Sequence, residues 1–188
     1  LSILNPLIHE GRVRFSGEMY VVNTQIDVPE TSSFPILISA LAPAMLRVAG
    51  ELADGTITWM AGISAIEKHI APRINKAAHE AGRNMPRICV GLPICVTDDR
   101  DAAFEQAAVT FQRYGTLVNY RRILNVESVD GPADVSVIGN EKEVEEKLRG
   151  FADAGVTDFL AAVYPVGDRP EEISKRTRDL LADLVGKI

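Results

Sequence analysis

The sequence has only two cysteines, Cys89 and Cys95, and their spacing argues against a disulfide. They lie six residues apart in the stretch RICVGLPICV. On one straight strand that separation is ~20 Å, whereas bonded cysteines have Cα atoms ~5.5 Å apart. We therefore expect two buried free thiols, which suit a cytoplasmic protein in a reducing compartment.

Long apolar runs and an excess of basic residues are also absent. No apolar run approaches the ~20 residues of a transmembrane helix, so we predict no membrane partner. Lysine and arginine number 20 against 26 aspartates and glutamates, and no basic stripe is present, so we predict no nucleic-acid partner. A signal peptide is absent as well, but the chain starts at Leu1 rather than methionine, so we expect this start to be a cut.

The motifs of self-sufficient catalysts are missing. GxGxxG, the Walker A pattern and GxSxG do not occur, and no Ser/His/Asp set can be nominated, which disfavours a hydrolase or a kinase. The sequence has no HExxH, no CxxC and no cluster of Asp and His, so we predict no metal site. The three histidines, His9, His69 and His79, are expected to face solvent or to cap helices.

Apolar runs that alternate with amphipathic helices dominate what is present. The 188 residues, 46% of them hydrophobic, suffice for one domain with one core. Four runs are apolar on both faces, which is typical of parallel strands covered by helices. These runs are FPILISAL, ADGTITWM, PRICVGLPICVT and VTDFLAAVYPV. Within the third run, Pro93 predicts a bend, a bulge or an early strand end.

Capping signals mark the helices. We expect Ser64 with Glu67, and Asn140 with Glu143, to form capping boxes. Pro72 predicts a kink or two helical pieces. The other end signals are Asp98 or Asp99 as an N-cap, Gly82 and Gly155 as helix stops, and Pro170 in a first helical turn.

The units divide the chain into two parts. Residues 1–34 read as an insertion segment with a helix end, a hairpin turning near Ser16-Gly17 and a linker. Residues 35–188 read as strand–helix units, with an excursion over about residues 114–139. Four units are half of a (βα)8 barrel, or alternatively an open doubly wound sheet, and the pattern alone does not separate the two. We predict parallel strands in the order of the chain, with right-handed crossovers.

The turn between the first run and its helix carries no charge. Its residues are Ala40, Leu41, Ala42, Pro43 and Ala44, followed by Met45. A helix N-terminus presents unpaired backbone N–H groups and the positive end of the dipole, and small side chains let an anion approach them. We predict a phosphate cradle here, with an ordinary turn capped by water as the alternative.

Trp59 and Met60 close the second apolar run. We interpret them as one wall of an apolar substrate pocket at the carboxyl rim of the sheet, with packing in the core as the alternative. Asp54, in the turn Asp54-Gly55, is expected to be structural rather than an acid or a base.

Five stretches in combination carry a resemblance to a known family. They are GRVRFSGEMYVV, PILISALAPAMLRVAGELADGTITWM, PRINKAAHEAGR, PRICVGLPICVTDD and GNEKEVEEKLRGFADAGVTDFLA. Together they resemble the luciferase-like monooxygenase superfamily, and most of all the actinobacterial branch that uses the deazaflavin coenzyme F420. The resemblance covers nearly the whole chain and is most specific at LAPAMLRVAGELADG and IGNEKEVEEKLRGFADAGVTDF.

The resemblance implies an α/β fold in which this chain is the C-terminal part, about strands five to eight, of a (βα)8 barrel. In the family the flavin or deazaflavin lies across the carboxyl mouth, and the segment after strand five, here Ala40 to Met45, holds its phosphate side. The family's residues beside the reacting ring come from the N-terminal half, so no residue of this chain inherits a catalytic role. The stretch NVESVDG departs from the family's Glu-Gly pattern, so a displaced loop is expected there.

The activity implied by the resemblance is hydride transfer between F420 and an organic small molecule. An FMN-dependent monooxygenase is the alternative among enzymes, and a non-catalytic, truncated cofactor-binding half barrel is the alternative from another class. Half a barrel leaves open strand edges and an uncovered inner face, so we expect a homodimer or association with the missing N-terminal half. The candidates for the inner face are Ile36, Ile38, Ile57, Val90 and Leu160.

Overall fold

The computed structural model describes residues 1–28, 32–164 and 166–188. The chain begins with a short helix, α1 (Leu4–Glu10), and an antiparallel hairpin of β1 (Arg12–Ser16) and β2 (Val21–Gln25). The predicted helix end and hairpin are thereby confirmed. Of the predicted linker, residues 29–31 lie outside the described residues.

Strands and helices alternate over the rest of the chain. The elements are β3 (Leu37–Ser39), α2 (Pro43–Leu52), β4 (Gly55–Trp59), α3 (Ile63–Ala65), a π-helical turn (Ile66–Ile70), α4 (Ala71–Glu80), β5 (Arg87–Val96), α5 (Arg100–Thr116), α6 (Val118–Glu127), a 3₁₀ turn (Pro132–Val135), β6 (Val137–Gly139), α7 (Glu141–Asp153), β7 (Asp158–Val163) and α8 (Pro170–Leu184). The four predicted apolar runs form β3, β4, β5 and β7, and residue 165 of the fourth run lies outside the described residues.

The four strands pair in parallel in the order β3-β4-β5-β7, which is their order in the chain. Leu37 is level with Gly55, and Gly55 is level with Arg87. The predicted parallel arrangement is confirmed. A doubly wound sheet reverses its strand order at a switch point, whereas barrel strands follow one another around the sheet. The observed order is therefore that of a barrel segment.

Helices cover one face of this sheet along its length. On the other face α5 covers the carboxyl end, where Cys95 packs against Ala103 and Ala107, and the rest of that face, called the open face here, has no helix over it within the described part of the chain. On the covered face, Thr56, Ile88 and Val90 are at most 1% exposed and lie in the core. On the other face Leu160 is 50% exposed, and Trp59 is half-buried. A doubly wound sheet carries helices along both faces, so the part of this face without a helix is that of a partial barrel, as predicted.

Gly91 shows which side chains share the open face. It is level with Trp59 on β4 and with Leu160 on β7. A β-carbon at Gly91 would lie 2.9 Å from the Trp59 ring and 3.4 Å from Leu160 Cδ2, so these two side chains meet above the glycine. Since side chains alternate between faces, Ile57 also lies on the open face, whereas Ile38 and Val90 lie on the covered one. Of the candidates, Ile57 and Leu160 therefore lie on the inner face, whereas Ile38 and Val90 do not.

Strand β5 continues through Pro93 with an unbroken register to β7, so the predicted bulge and early strand end are wrong, while the bend stays a prediction. Met60 N donates to Gly91 O (3.3 Å) and Thr97 N donates to Gly139 O (2.9 Å), so alternate residues of β5 direct their backbone groups toward β4 and then β6. Pro93 lies on that side, beyond the last residue paired with β4 and before the first paired with β6. The strand tolerates proline because no neighbour needs its missing N–H at this point.

The predicted excursion over residues 114–139 is ordered into elements. It contains the end of α5, then α6, a 3₁₀ turn and β6. Strand β6 pairs in parallel with the end of β5, where Ile94 is level with Val137, and it adds a fifth strand to the sheet. This strand was not predicted, because three residues are too few to show a period.

Most of the predicted helix ends are confirmed. Asn140 and Glu143 form a reciprocal capping box, with Asn140 N to Glu143 Oε2 at 2.9 Å and Glu143 N to Asn140 Oδ1 at 3.1 Å. Pro72 lies at the start of α4, directly after a π-helical turn, so the helix is built of separate pieces. The other confirmed ends are Asp99, whose carboxylate accepts from Ala102 N, Gly82 and Gly155 with positive φ, and Pro170 in the first turn of α8.

The predicted capping box of Ser64 and Glu67 is wrong. The N-cap of α3 is Gly62, which has no side chain that could accept a hydrogen bond. The first N–H groups instead donate to the carboxylate of Glu127, the last residue of α6. The Glu127 carboxylate thus takes the place that the side chain of Ser64 was predicted to have as acceptor.

Thr177 extends the hydrogen bonding of β5 beyond the end of β7. Its hydroxyl, fully buried, accepts from Val96 N (2.9 Å) and donates to Ile173 O (2.9 Å). We expect Thr177→Val to lower the free energy of unfolding by about 1–3 kcal/mol, because the isosteric methyl leaves the Val96 N–H buried without an acceptor. Urea denaturation measures this loss. Thr110→Val, at an exposed position of α5, is the control and should change stability by less than about 0.5 kcal/mol.

Both cysteines are free thiols. Cys95 is fully buried, and burial raises its pKa to about 11, while Cys89 is only half-buried. The predicted burial therefore holds in full for Cys95 only. Among the helices of the described part of the chain, none has the length and apolar character needed to cross a membrane.

Candidate functional site

The carboxyl end of β3 leads directly into the start of α2. Ala42 is the N-cap and has an extended backbone, Pro43 occupies the first helical turn, and no side chain caps this end. Leu46 N donates to Ala42 O (2.9 Å), which closes the first helical turn. Because Pro43 has no N–H, the backbone N–H groups without an acceptor among the described residues at this helix start are those of Ala42, Ala44 and Met45.

A cavity of about 290 Å³ lies at this helix start. Its lining residues are Ser39, Leu41, Ala42, Pro43, Met45, His69, Asn119, Tyr120, Arg122, Ile123 and Val126. Four of the six residues predicted for the phosphate cradle thus border the cavity. Of the other two, Ala40 is packed in the core and Ala44 is exposed outside the cavity lining.

His69 braces the turn that precedes α2. Its Nε2 atom donates to Leu41 O at 2.8 Å, and the contact is partly buried. This histidine was predicted to face solvent or to cap a helix. Its side chain instead ties the π-helical turn to the turn that follows β3. His9 and His79 lie exposed in the last turns of α1 and α4.

Arg122 gives the cavity a fixed positive charge. The lining contains no aspartate or glutamate, and Arg122 has no ion-pair partner among residues 1–28, 32–164 and 166–188. The positive end of the α2 dipole points at the same space. An anionic ligand is therefore favoured by the charge of Arg122, by the dipole of α2 and by the absence of carboxylates from the lining. Sequence reasoning missed Arg122 because nothing in the local pattern distinguishes it from Arg121.

Aromatic rings connect the cavity with the open face of the sheet. Tyr120 packs edge-on against Tyr114 (centroids 5.0 Å apart), and Tyr114 packs in the same way against Trp59 (5.8 Å). Burial, and secondarily the nearby Tyr114, raises the pKa of Tyr120, so its hydroxyl stays protonated at neutral pH. Phe111 also meets the Trp59 ring edge-on at 6.2 Å. The row fixes the orientation of the Trp59 ring.

Trp59 and Met60 have different surroundings, although both were predicted to form a pocket wall. Trp59 faces the open side of the sheet, and its indole N–H is buried without a hydrogen-bond partner in the part of the chain that the structure describes. Met60 is fully buried in the core and has a left-handed backbone with φ of 60°. For Met60, packing in the core is the arrangement observed.

Ser128 ends α6, the helix that supplies Asn119, Tyr120 and Arg122 to the cavity. It has φ 64° and ψ 44°, the left-handed conformation that glycine adopts most readily. Ser128 thus adopts, within the loop NVESVDG, a backbone conformation that suits glycine. The displacement expected for this loop stays a prediction.

We expect Ser128→Gly to raise the free energy of unfolding by about 0.5–1 kcal/mol, because glycine adopts the left-handed conformation without steric strain. Thermal unfolding measures the change. A loss of stability would instead mean that the serine side chain stabilises the loop.

The remaining predicted residues have structural surroundings. Asp54 accepts from Ile36 N (2.7 Å) and pairs with Arg83 (3.0 Å), which agrees with the structural role predicted for it. No three His, Cys, Asp or Glu side chains of the described residues come together as a metal-binding set.

Comparisons with known proteins give one family. Its profile, described as luciferase-like monooxygenase, matches residues 1–186. The chain is 25% identical to the 5,10-methylenetetrahydromethanopterin reductase of Methanopyrus kandleri, over 91% of this chain and 57% of that protein. The chain therefore spans little more than half the length of this curated relative.

Two solved structures have a similar fold. One is an F420-dependent secondary alcohol dehydrogenase in complex with an F420-acetone adduct, with a TM-score of 0.64, 18% identity, and coverage of 95% of this chain and 58% of that one. The other is the oxygenating constituent of 3,6-diketocamphane monooxygenase of Pseudomonas putida in complex with FMN, with a TM-score of 0.63, 17% identity, and coverage of 94% and 58%. At these identities the likeness concerns the fold, which is that of a partial (βα)8 barrel.

Proposed function

Because the chain belongs to the luciferase-like monooxygenase family, we propose that the protein is an oxidoreductase that passes a hydride between coenzyme F420 and an organic small molecule. The relatives support this choice of cofactor, since the alcohol dehydrogenase of similar fold is described as F420-dependent. We assign no catalytic residue within this chain.

The cavity at the start of α2 is the observation that carries the proposal. It combines a helix start without a side-chain cap, a cation at Arg122 and a lining without carboxylates. A phosphate needs N–H donors and positive charge, and the residues present supply both. The phosphate side of F420 or FMN therefore fits these residues.

The chain's own residues bind and orient the cofactor in this proposal. The backbone N–H groups of Ala42 and Met45 and the guanidinium of Arg122 hold the phosphate, and His69 keeps the preceding turn in place through Leu41 O. Trp59, held by its aromatic neighbours, borders the substrate pocket with its ring. When bound, the deazaflavin supplies the site that accepts or donates hydride.

An FMN-dependent monooxygenase is the second candidate, favoured by the FMN-bound monooxygenase of similar fold. Titration of the protein with oxidised F420 and with FMN, followed by fluorescence, separates the two. We expect F420 to bind at least tenfold more tightly. Equal or tighter binding of FMN would favour the monooxygenase, and binding of neither would favour a non-catalytic half barrel.

The open face of the sheet implies a partner within the assembly. Leu160 is half-exposed there, and β3 and β7 each have one unpaired edge within the described sheet, which favours pairing with further strands. We propose that a second copy of the chain or further barrel strands cover it. A cytoplasmic location, suggested by the two free thiols, stays a prediction.

A further inference from the structure

Glu127 joins α6 to the start of α3. Its Oε2 accepts from Ala65 N at 2.7 Å, and its Oε1 accepts from Ser64 N at 3.3 Å. A carboxylate that accepts two N–H groups at a helix start combines charge-assisted hydrogen bonds with a favourable dipole interaction. The two partners are 62 and 63 residues distant in sequence, so the contact fixes one helix against another.

Gly62 makes room for this carboxylate. A β-carbon at Gly62 would lie 2.7 Å from Glu127 Oε2 and closer still to two other atoms of the same group. Gly62 has φ −80°, a conformation open to any residue, so the backbone does not require glycine here. The space that the Glu127 carboxylate occupies is what excludes a larger side chain.

The other polar contacts of α6 do not reach a second helix. Arg121 donates to Val129 O and Asp130 O, both at 2.6 Å, and so binds the end of its own helix. Within the ranges 1–28, 32–164 and 166–188, the side-chain hydrogen bonds from α6 to another helix are those of Glu127. At its other end, α6 follows α5 after the single extended residue Leu117.

Helix α6 also forms one wall of the cavity at the start of α2. Its contribution consists of Asn119, Tyr120, Arg122, Ile123 and Val126. Glu127 does not line the cavity, yet it fixes the end of the helix that carries Arg122. The position of this cation relative to the start of α2 therefore depends on the Glu127 contact.

We infer that Glu127 is a positioning residue, which holds α6 against α3 and thereby sets the affinity of the cavity for a phosphate-bearing ligand. The inference rests on the proposed function, because the ligand is taken to be the phosphate side of F420. Glu127 contacts neither ligand nor reacting atoms, so it acts through the placement of Arg122.

Glu127→Gln tests the inference, because the amide keeps the shape but turns an N–H group toward one of the two donors. We expect amide hydrogen exchange in α6 to become about tenfold faster and the dissociation constant of F420 to rise about tenfold. The phosphate-free deazaflavin, which lacks the group that Arg122 would hold, should bind with unchanged affinity. Glu67→Gln, at an exposed position of the π-helical turn that follows α3, is the matched control.

Gly62→Ala tests the same loss of F420 affinity by a different substitution. The added methyl should expel the carboxylate and weaken F420 binding as much as Glu127→Gln does. Because both substitutions break the same contact, the double variant should bind F420 no more weakly than either single variant. Additive losses would overturn the inference.

The outcomes separate this inference from the proposed function. If Glu127→Gln weakens both ligands equally, or loosens the whole sheet, Glu127 is merely structural and the inference is wrong. If α6 loosens and F420 affinity is unchanged, while Ala42→Asp weakens F420, the inference fails and the proposed function stands. If F420 affinity responds to neither Glu127→Gln nor Ala42→Asp, both fail.

Discussion

Ala42→Asp is expected to weaken the binding of F420 by about tenfold to a hundredfold. Ala42 is the N-cap of α2 and borders the cavity. An aspartate there places a carboxylate where the phosphate would lie, and like charges at that separation cost about 1–3 kcal/mol. Its oxygens would also accept hydrogen bonds from the N–H groups of Ala44 or Met45, which would then no longer be available to the phosphate. Fluorescence titration with oxidised F420 measures the change.

The same substitution should stabilise the protein, which separates a lost site from a damaged fold. Aspartate is among the best N-cap residues, and its replacement of alanine is worth about 0.5–2 kcal/mol. We therefore expect a higher midpoint of thermal unfolding together with weaker binding. Ala42→Asn, a cap without charge, should stabilise similarly and weaken binding less. Unchanged affinity of a stabilised Ala42→Asp protein would exclude the site.

The sequence predicted those parts of the fold that depend on interactions between residues close together in the chain. The capping box of Asn140 and Glu143 was predictable because both partners lie within one helical turn. Gly82 and Gly155 were predictable as helix ends because a positive φ suits glycine. The parallel order of the strands followed from the alternation of apolar runs with helices.

Long-range partners account for the failures. Ser64 had the local pattern of a cap, but the carboxylate of Glu127 occupies that position from a distance of 63 residues in sequence. Pro93 looked like a strand breaker, yet its backbone faces the gap between the end of β4 and the start of β6. In both cases the deciding group belongs to an element whose position the sequence alone does not give.

The candidate site divides in the same way. The bare turn that precedes α2 was readable because its own composition is unusual, with no charged side chain from Ala40 to Met45. Arg122 and His69 were not readable, since only the packing of α6 and the π-helical turn brings them to the cavity. Sequence therefore predicted the backbone half of the site and missed the side-chain half.

The open face of the sheet leads to the expectation that the 188-residue chain associates at micromolar concentration. Leu160 is 50% exposed beside Trp59, and β3 and β7 each have one paired edge in the described sheet. Unpaired edges and an apolar face favour contact with another chain. Sedimentation equilibrium of the purified chain measures the association.

Leu160→Lys should shift that equilibrium toward the monomer by about a hundredfold. In a symmetric dimer each substitution is present twice, and the loss of a half-exposed leucine from the contact costs about 1–1.5 kcal/mol per copy. Leu52→Lys, on α2 and 42% exposed, is the matched control, and it should leave the association unchanged because that helix surface lies away from the open face. A wild-type chain that stays monomeric, unfolds cooperatively and binds no apolar dye would contradict the half-barrel interpretation. A half barrel has an uncovered apolar inner face, which should cause both association and dye binding.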